Sequence, residues 1–181
     1  HGLELTPEVL DIALMIRAPG LAPRDYTATT RSIDVYPTLA GLSGVPAGGE
    51  RPPDGVDLSR ALRGDASEPE LLAFSHSTTV SAEHLASFVG FDLVLKYFPR
   101  TDPELCWVRV RKQDLVAKLV NLDGEHFGFQ VFDLARDPEE RTDLYDPSSA
   151  EHQDLARRLV EYKRTLVEGF AAHVQGAGIS S

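Results

Sequence analysis

The apolar residues near the start of the chain form one unbroken run, which begins at Ile12 and ends at Ile16. A short continuous run of this kind is typical of a strand that is covered on both faces. The Pro19-Gly20 pair behind it is a strong turn signal. The pattern therefore predicts a buried strand over residues 12–16.

Helical spacing replaces this pattern over residues 33–43. Three apolar residues recur on one face there, and they are Val35, Leu39 and Leu42. Pro37 is tolerated only in the first turn of such a helix, and Gly44 is a typical C-terminal stop. A Gly- and Pro-rich connection follows, and a second, shorter helix is predicted over residues 57–62, before Gly64.

Short β-rich runs begin at about residue 71 and follow one another without a helical pattern between them. They cover residues 71–74, 88–97, 107–110, 115–120 and 129–134. Consecutive strands of this kind predict an antiparallel sheet. The Asp123-Gly124 pair predicts a turn between the last two strands.

The last predicted element is an amphipathic helix. Its apolar stripe consists of Leu155, Leu159, Tyr162, Leu166 and Phe170, and its basic face carries Arg157, Arg158, Lys163 and Arg164. Ser148 and Glu151 have the spacing of a capping box at the start of this helix. The chain as a whole therefore reads as an α/β part followed by an antiparallel sheet with a C-terminal helix, and the seam lies near residues 64–70.

Composition and charge exclude two classes of function. The chain has 18 basic and 28 acidic residues, which gives a net charge of −10. This balance argues against a surface that follows nucleic-acid phosphates, because such surfaces depend on clustered Lys and Arg. No apolar run approaches the length of a membrane span. We therefore expect neither a nucleic-acid partner nor a membrane span.

The cysteine count and the first residue bear on compartment and processing. Cys106 is the only cysteine, so the chain can form no internal disulfide and no thiolate metal cluster. A single cysteine fits a reducing, cytoplasmic compartment, and it also fits a secreted chain. His1 is not an initiator methionine and no signal sequence follows it, so we expect the chain to begin inside a longer protein or after processing.

Four stretches, read in order, resemble the C-terminal half of the sulfatases, a family of the alkaline-phosphatase-like superfamily. They cover residues 1–20, 31–39, 54–64 and 132–144. The first is similar to the family's Lys- or His-Gly run with its Pro-Gly stop, and the second to its acidic residue before aromatic-Pro-Thr-Leu. The third is similar to its dGxSL connection, and the fourth to its YDLxxDPxExxNL segment. Two departures stand out: Thr6-Pro7 replaces an aromatic-acidic pair, and residues 11–14 replace Arg-Val-Pro-Leu.

The resemblance implies a fold class and a domain layout. Residues 1–66 are expected to form the end of an alkaline-phosphatase-like α/β sheet domain. Residues 67–176 are expected to form a small antiparallel sheet packed with a C-terminal helix, and residues 177–181 a flexible tail.

The resemblance also implies chemistry that this chain does not complete. Sulfatases are expected to attack sulfur with a formylglycine, made from Cys or Ser in a C/S-x-P/A-x-R motif, beside a divalent cation that is usually calcium. Residues 106–109 lack that motif, and Cys106 is interpreted as a packed core thiol. The formylglycine and most of the cation's ligands would lie upstream, no metal ligand is assigned here, and the chain alone is expected to be inactive.

His1 is the one catalytic candidate. By the resemblance it falls where the family places a Lys or His that contacts the sulfate and assists the leaving oxygen, and an imidazole suits that task. A second alignment makes His1 the metal ligand of an Asp-His-Gly motif, although its spacing to Ile12 favours the first. A solvated terminal histidine is the third interpretation.

His76 is the candidate substrate-binding residue, because Ser75, Ser77 and two threonines surround it. These residues could line a pocket or form a polar loop. The other histidines, His84, His126, His152 and His173, show no ligand spacing. Asp34 is interpreted as a helix N-terminal charge and Arg31 as the partner of a local carboxylate. Residues 137–140 are interpreted as the capped start of a helix.

Three functions remain open. The first is a sulfuric ester hydrolase, in which this segment acts together with the rest of a sulfatase chain on a sulfated small molecule or glycan. The second keeps the superfamily and replaces the ester by a phosphate or phosphonate. The third is a catalytically inactive, sulfatase-like interaction module.

Overall fold

The computed structural model describes residues 5–49, 52–77, 107–121 and 127–176. Its elements, in chain order, are α1 (Pro7–Leu10), a 3-10 helix (Ser32–Asp34), α2 (Val35–Ser43), α3 (Ser59–Arg63), β1 (Leu72–Ser77), β2 (Trp107–Lys112), β3 (Leu115–Asn121), β4 (Phe127–Asp133) and α4 (Ala150–Gly176). The chain forms two compact units. The helical unit contains Ile12–Ala73 with Arg111–Gln113, and the sheet unit contains the remaining described residues. The domain limits given above, at residues 66 and 176, stay a prediction.

The helical unit is organised around the carboxylate of Asp34, whose side chain is completely buried. The carboxylate accepts hydrogen bonds from the backbone N–H of Arg31 at 2.9 Å and from the Arg31 guanidinium, with Nε at 3.0 Å and Nη2 at 2.7 Å. It also accepts the backbone N–H of Val56 at 2.8 Å. Because a buried carboxylate is tolerated only when donors surround its oxygens, these bonds fix the start of α2 to the connection that precedes α3.

Thr38 makes a second link between α2 and the same connection. Its hydroxyl accepts the backbone N–H of Leu58 at 3.0 Å, and its side chain is buried. The inner side of α2 therefore carries Asp34 and Thr38. The apolar face predicted from spacing is wrong at Leu39, which is 47% exposed. Periodicity alone cannot find a polar inner face whose groups are satisfied by distant backbone donors.

Each of the two short helices, α2 and α3, ends at a glycine. Gly44 ends α2 and Gly64 ends α3, both with left-handed backbone conformations (φ 70° and 82°), which confirms the predicted stops. Gly55 has a different role, because a Cβ at this position would lie 2.0 Å from the carbonyl oxygen of Ile33. The absence of a side chain at Gly55 lets the connection approach α2 closely enough for Val56 to reach Asp34.

The predicted strand over residues 12–16 is wrong for this structure. These residues are irregular, and Ile12 is 75% and Met15 95% exposed. A strand requires hydrogen bonds from a neighbouring strand, and within the described residues the sheet contains β1 to β4 alone. The apolar run is therefore surface and not core. The turn predicted behind it forms at Pro19-Gly20.

The sheet unit contains a four-stranded sheet in the order β1-β2-β3-β4. β3 and β4 pair antiparallel, from Leu115 opposite Asp133 to Asn121 opposite Phe127. Two residues, Gln113 and Asp114, connect β2 to β3, and a connection this short joins antiparallel strands. The predicted antiparallel sheet is therefore confirmed for the described strands, whereas the run at residues 88–97 and the turn at 123–124 lie outside the described residues.

The core of the sheet unit lies between the sheet and α4, which contacts β3. Its fully buried side chains alternate along the strands and along one face of α4, and they are Val108, Val110, Val116, Val131, Leu155 and Leu159. The predicted stripe of the last helix is thus confirmed at its first two positions. The side chain of Phe170 and the tail after residue 176 lie outside the described residues. Within the described chain, no helix combines the length and the apolarity that a membrane span requires.

The N-terminal cap of α4 differs from the predicted one by one residue. The hydroxyl of Ser149 accepts the backbone N–H of His152 at 3.3 Å. Ser148 instead donates its hydroxyl proton to the Asp146 carboxylate at 2.7 Å. The predicted capping box of Ser148 with Glu151 is therefore wrong, because the helix begins at Ala150 and places Ser149 at the capping position.

We expect acid to weaken the helical unit through Asp34. Burial alone would raise the pKa of Asp34, but hydrogen bonds from the Arg31 side chain and from the Val56 and Arg31 backbones outweigh it and hold the pKa below its ordinary value. The stability that a lowered carboxylate pKa provides is present above the unfolded-state pKa and is lost as the pH falls through the folded-state value. The loss should therefore begin below a pH of about 4.

Asp34→Asn should remove this acid dependence and lower the free energy of unfolding at neutral pH by about 3 kcal/mol, since it breaks a buried ion pair. Urea unfolding at neutral and acidic pH measures both effects. The exposed Asp25→Asn change is the matched control and should leave both unchanged. Equal effects of the two substitutions would contradict the role of Asp34.

The close approach at Gly55 predicts a second stability effect. Gly55→Ala should lower the free energy of unfolding by about 1–3 kcal/mol, because the added methyl group forces the backbone of Ile33 away from the connection. Gly49→Ala is the control, since a Cβ at Gly49 meets no atom within 4 Å. Urea unfolding of both variants checks the prediction, and a neutral Gly55→Ala would refute it.

Candidate functional site

The structure describes only one of the two predicted site residues. His1 lies outside the described residues. His76 lies in β1 and not in a polar loop, so the loop interpretation of its surroundings is wrong for Ser75, His76 and Ser77. These residues form a strand because their backbone N–H and C=O groups pair with β2, and this pairing does not require apolar side chains. Thr78 and Thr79 lie outside the described residues.

His76 forms a small cluster with an aromatic pair. Side chains alternate along a strand, so Phe74 and His76 share one face of β1. Tyr162 of α4 stacks on Phe74, with ring centroids 4.7 Å apart, and its hydroxyl lies 3.0 Å from Nδ1 of His76. The His76 side chain is otherwise exposed. An exposed imidazole that is oriented by a hydroxyl can bind an anionic oxygen, and substrate binding by His76 stays a prediction.

Arg31 and Asp34 satisfy each other. The Arg31 side chain donates two hydrogen bonds to Asp34 and one to the carbonyl oxygen of Leu72 at 3.5 Å. The interpretation of Arg31 as the partner of a local carboxylate is therefore confirmed. Asp34 lies at the start of α2, as interpreted, but its side chain makes no capping hydrogen bond there. Three of the guanidinium N–H donors of Arg31 are therefore engaged within the protein.

Residues 137–140 form a turn and not the predicted helix start. The reason is the backbone of Glu140, which adopts a left-handed conformation (φ 52°) that no α-helix can contain. This conformation aims the Glu140 side chain inward, where it is 4% exposed and meets Arg109 at 2.9 Å and Lys118. Glu140 is thus the centre of a buried ionic cluster that links the turn to β2 and β3.

The sequence carried a signal for this cluster that was missed. Arg109 lies between two fully buried valines, and Lys118 has two buried residues of β3 on each side. A charged residue inside a strand that is apolar at its neighbouring positions requires a partner of opposite charge. The partner, Glu140, could not be chosen among the acidic residues of the 137–140 turn without its backbone conformation.

The rest of the 132–144 segment is also structural. Three of its carboxylates accept backbone N–H groups: Asp133 from Ala135 at 3.0 Å, Asp137 from Thr142 at 2.8 Å, and Asp143 from Val131 and Tyr145, both at 2.9 Å. Its last residue, Leu144, donates its N–H to Val131 at 2.7 Å. The segment therefore holds the chain against β4 and offers no free carboxylates for chemistry.

The described residues do not form a calcium site. They contain no group of three or more His, Cys, Asp or Glu side chains that could hold a metal ion. Calcium requires six to eight oxygen ligands, and the buried carboxylates of Asp34 and Glu140 are already paired with cations.

His152 is the remaining histidine whose side chain the structure describes, and it belongs to no group of candidate metal ligands there. His152 accepts the backbone N–H of Asp146 through Nδ1 at 3.0 Å and lies against the ring of Tyr145. His84, His126 and the side chain of His173 lie outside the described residues, as does Cys106. His152 itself lies in the first turn of α4.

Comparison with known proteins adds evidence of kinship. No family model matches the chain. A choline-sulfatase of Rhizobium meliloti (strain 1021) is 39% identical over 66 residues, which are 35% of this chain and 13% of that protein. A sulfatase structure from Bacteroides thetaiotaomicron VPI-5482 covers 85% of the chain with a TM-score of 0.50 and 24% identity. A phosphonate monoester hydrolase from Silicibacter pomeroyi covers 84% of it with a TM-score of 0.52 and 25% identity.

The fold of the chain is thus that of an alkaline-phosphatase-like hydrolase, in mixed helices, a four-stranded antiparallel sheet and a C-terminal helix. Within that superfamily, the stretch of 66 residues that matches a choline-sulfatase is similar in sequence to a sulfatase. The chain spans less than a third of the two solved proteins, 30% of the first and 28% of the second.

Proposed function

We propose that this chain is the C-terminal part of a sulfatase that hydrolyses sulfuric esters. The observation that carries the proposal is the 39% identity to a choline-sulfatase over 66 residues. The structural likeness to a sulfatase over 85% of the chain supports the same fold outside that stretch. The substrate class that we propose is a sulfated small molecule or glycan.

The described residues would serve this reaction as a scaffold. The buried carboxylates of Asp34 and Glu140 are engaged with Arg31, Arg109, Lys118 and the Val56 backbone N–H, so neither is placed to act as a general base. A formylglycine supplies the nucleophile in sulfatases and a calcium ion stabilises anionic oxygens, and in this proposal both belong to the rest of the protein. His1 would donate a hydrogen bond or a proton to the leaving oxygen.

The rest of the sulfatase chain is the partner that we propose for the helical unit. The unit exposes a group of large apolar side chains, and these are Ile12, Leu14, Met15, Ile33, Tyr36 and Leu39. Exposed apolar residues at this density mark surfaces that another protein part covers. For the compartment, the single cysteine supports a reducing environment such as the cytoplasm.

The proposal is tested with the complete protein and with the 181-residue chain, each assayed on an aryl sulfate and on an aryl phosphonate monoester with added calcium. We expect the complete protein to prefer the sulfate ester and the chain alone to show no turnover, because the nucleophile lies elsewhere. Turnover by the chain alone would refute the assignment of the nucleophile. Absence of both activities in the complete protein would favour an inactive interaction module.

The role of His1 gives a separate prediction for the complete protein. His1→Ala should reduce kcat for the sulfate ester by about a hundredfold or more, as the loss of a general acid or base does. The exposed His76→Ala is the comparison, and it should raise KM more than it lowers kcat if His76 only binds substrate. An unchanged kcat in His1→Ala would rule out the catalytic role.

A phosphonate or phosphate ester is the second candidate substrate. The likeness to a phosphonate monoester hydrolase, with a TM-score of 0.52 and 25% identity, favours it. The local identity to a choline-sulfatase is higher, which is why the sulfate ester is proposed first. A preference of the complete protein for the phosphonate in the assay above would reverse this order.

A further inference from the structure

Two cations and one carboxylate meet inside the sheet unit. Nη2 of Arg109 lies 2.9 Å from Oε1 of Glu140, and Nζ of Lys118 contacts Oε2 of the same carboxylate. The side chains of Arg109, Lys118 and Glu140 are only 3%, 11% and 4% exposed. The cluster therefore contains one more positive than negative charge in a place that water scarcely reaches.

Arg109 also has a donor without an acceptor. Its Nε is buried and makes no hydrogen bond within the described chain. A buried guanidinium N–H that is removed from water without a new acceptor carries the full cost of that removal. Lys118 faces the ring of Phe132 at 5.5 Å, which stabilises a cation but adds no negative charge.

The carboxylate of Glu8 also interacts with this cluster. A hydrogen bond with the Thr6 side chain is the largest cause that lowers the pKa of Glu8, and the charge of Lys118 lowers it further. Glu8 is exposed, so solvent and salt screen its charge. The negative charge of Glu8 therefore neutralises the positive charge of Lys118 only in part. The Nε–H of Arg109 still has no hydrogen-bond acceptor within the described chain.

We propose that a small monovalent anion, of the size of chloride, binds between Arg109 and Lys118. The anion would accept the Nε–H of Arg109 and supply the second negative charge of the cluster. The near-complete enclosure favours a single-atom anion over sulfate or phosphate, whose four oxygens need more donors than these two side chains provide. The site is separate from the proposed hydrolytic activity and does not depend on it.

The test compares sodium chloride with sodium gluconate at equal ionic strength, with the unfolding midpoint of the chain as the measurement. Equal ionic strength gives equal screening of surface charges. The different exclusion of the two salts from the protein surface acts equally on the Lys118→Met variant described below, so the difference between wild type and variant reports binding. We expect chloride to raise the midpoint saturably. At about 100 times the Kd, chloride should shift the folding equilibrium about 100-fold.

Two substitutions change the charge balance in opposite directions. Lys118→Met leaves one cation with one carboxylate, so its stability should no longer depend on chloride. Glu140→Gln leaves two unbalanced cations, so its stability should depend on chloride more strongly than that of the wild type. Arg136→Met removes an 89% exposed cation and is the control, which should keep the wild-type response.

Equal midpoints in chloride and gluconate for the wild type would overturn the proposal and indicate a buried water at Nε instead. A chloride response that persists in Lys118→Met would overturn it as well. If the variants do not fold, the wild type still decides the question through the chloride NMR linewidth. We expect the protein to broaden the chloride signal and bromide to reverse this broadening by competing for the site. A chloride linewidth that the protein does not change would contradict the site.

Discussion

The Asp34 carboxylate accepts four hydrogen bonds, three from Arg31 and one from Val56, a residue 22 positions further along the chain. The helical unit depends on this interaction, because its helices are only nine and five residues long and helices of that length are marginal by themselves in water. The tie from the start of α2 to the connection before α3 replaces the apolar contacts that longer helices would make.

The same interaction explains why two separate sequence stretches occur together. Residues 31–39 supply the carboxylate of Asp34 and the hydroxyl of Thr38, and residues 54–58 supply the N–H groups that both accept. Gly55 permits the approach. In the sheet unit the 132–144 segment follows the same rule, with Asp133, Asp137 and Asp143 accepting backbone N–H groups. These motifs identify a fold, since their side chains form the hydrogen bonds that hold distant parts of each unit together. They do not by themselves identify a reaction.

The parts of the fold that the sequence predicts are those set by local rules. Gly44 and Gly64 end their helices as predicted, and the runs around β2, β3 and β4 form strands. The failures required non-local information. Residues 12–16 have the composition of a strand but no described partner, and Leu39 is exposed because hydrogen-bonded polar groups occupy the inner side of α2. For the candidate site, the sequence located His76 but not its Tyr162 partner, 86 residues away, and missed Glu140 entirely.

The two units differ in where their apolar residues lie, and this difference bears on the proposed function. Eight of the eleven exposed large hydrophobic residues in the described chain belong to the helical unit, so the apolar surface is concentrated there. The interior of that unit combines the polar contacts of Asp34 and Thr38 with the buried Leu58 and Ala61, whereas valines and leucines fill the sheet unit. A unit that exposes many large apolar side chains gains stability when another part of the protein covers them. If the rest of a sulfatase chain provides that cover, the surface carrying Ile12 and Met15 becomes interior. The prediction of a buried strand from the continuous apolar run would then apply to the complete protein better than to the chain alone.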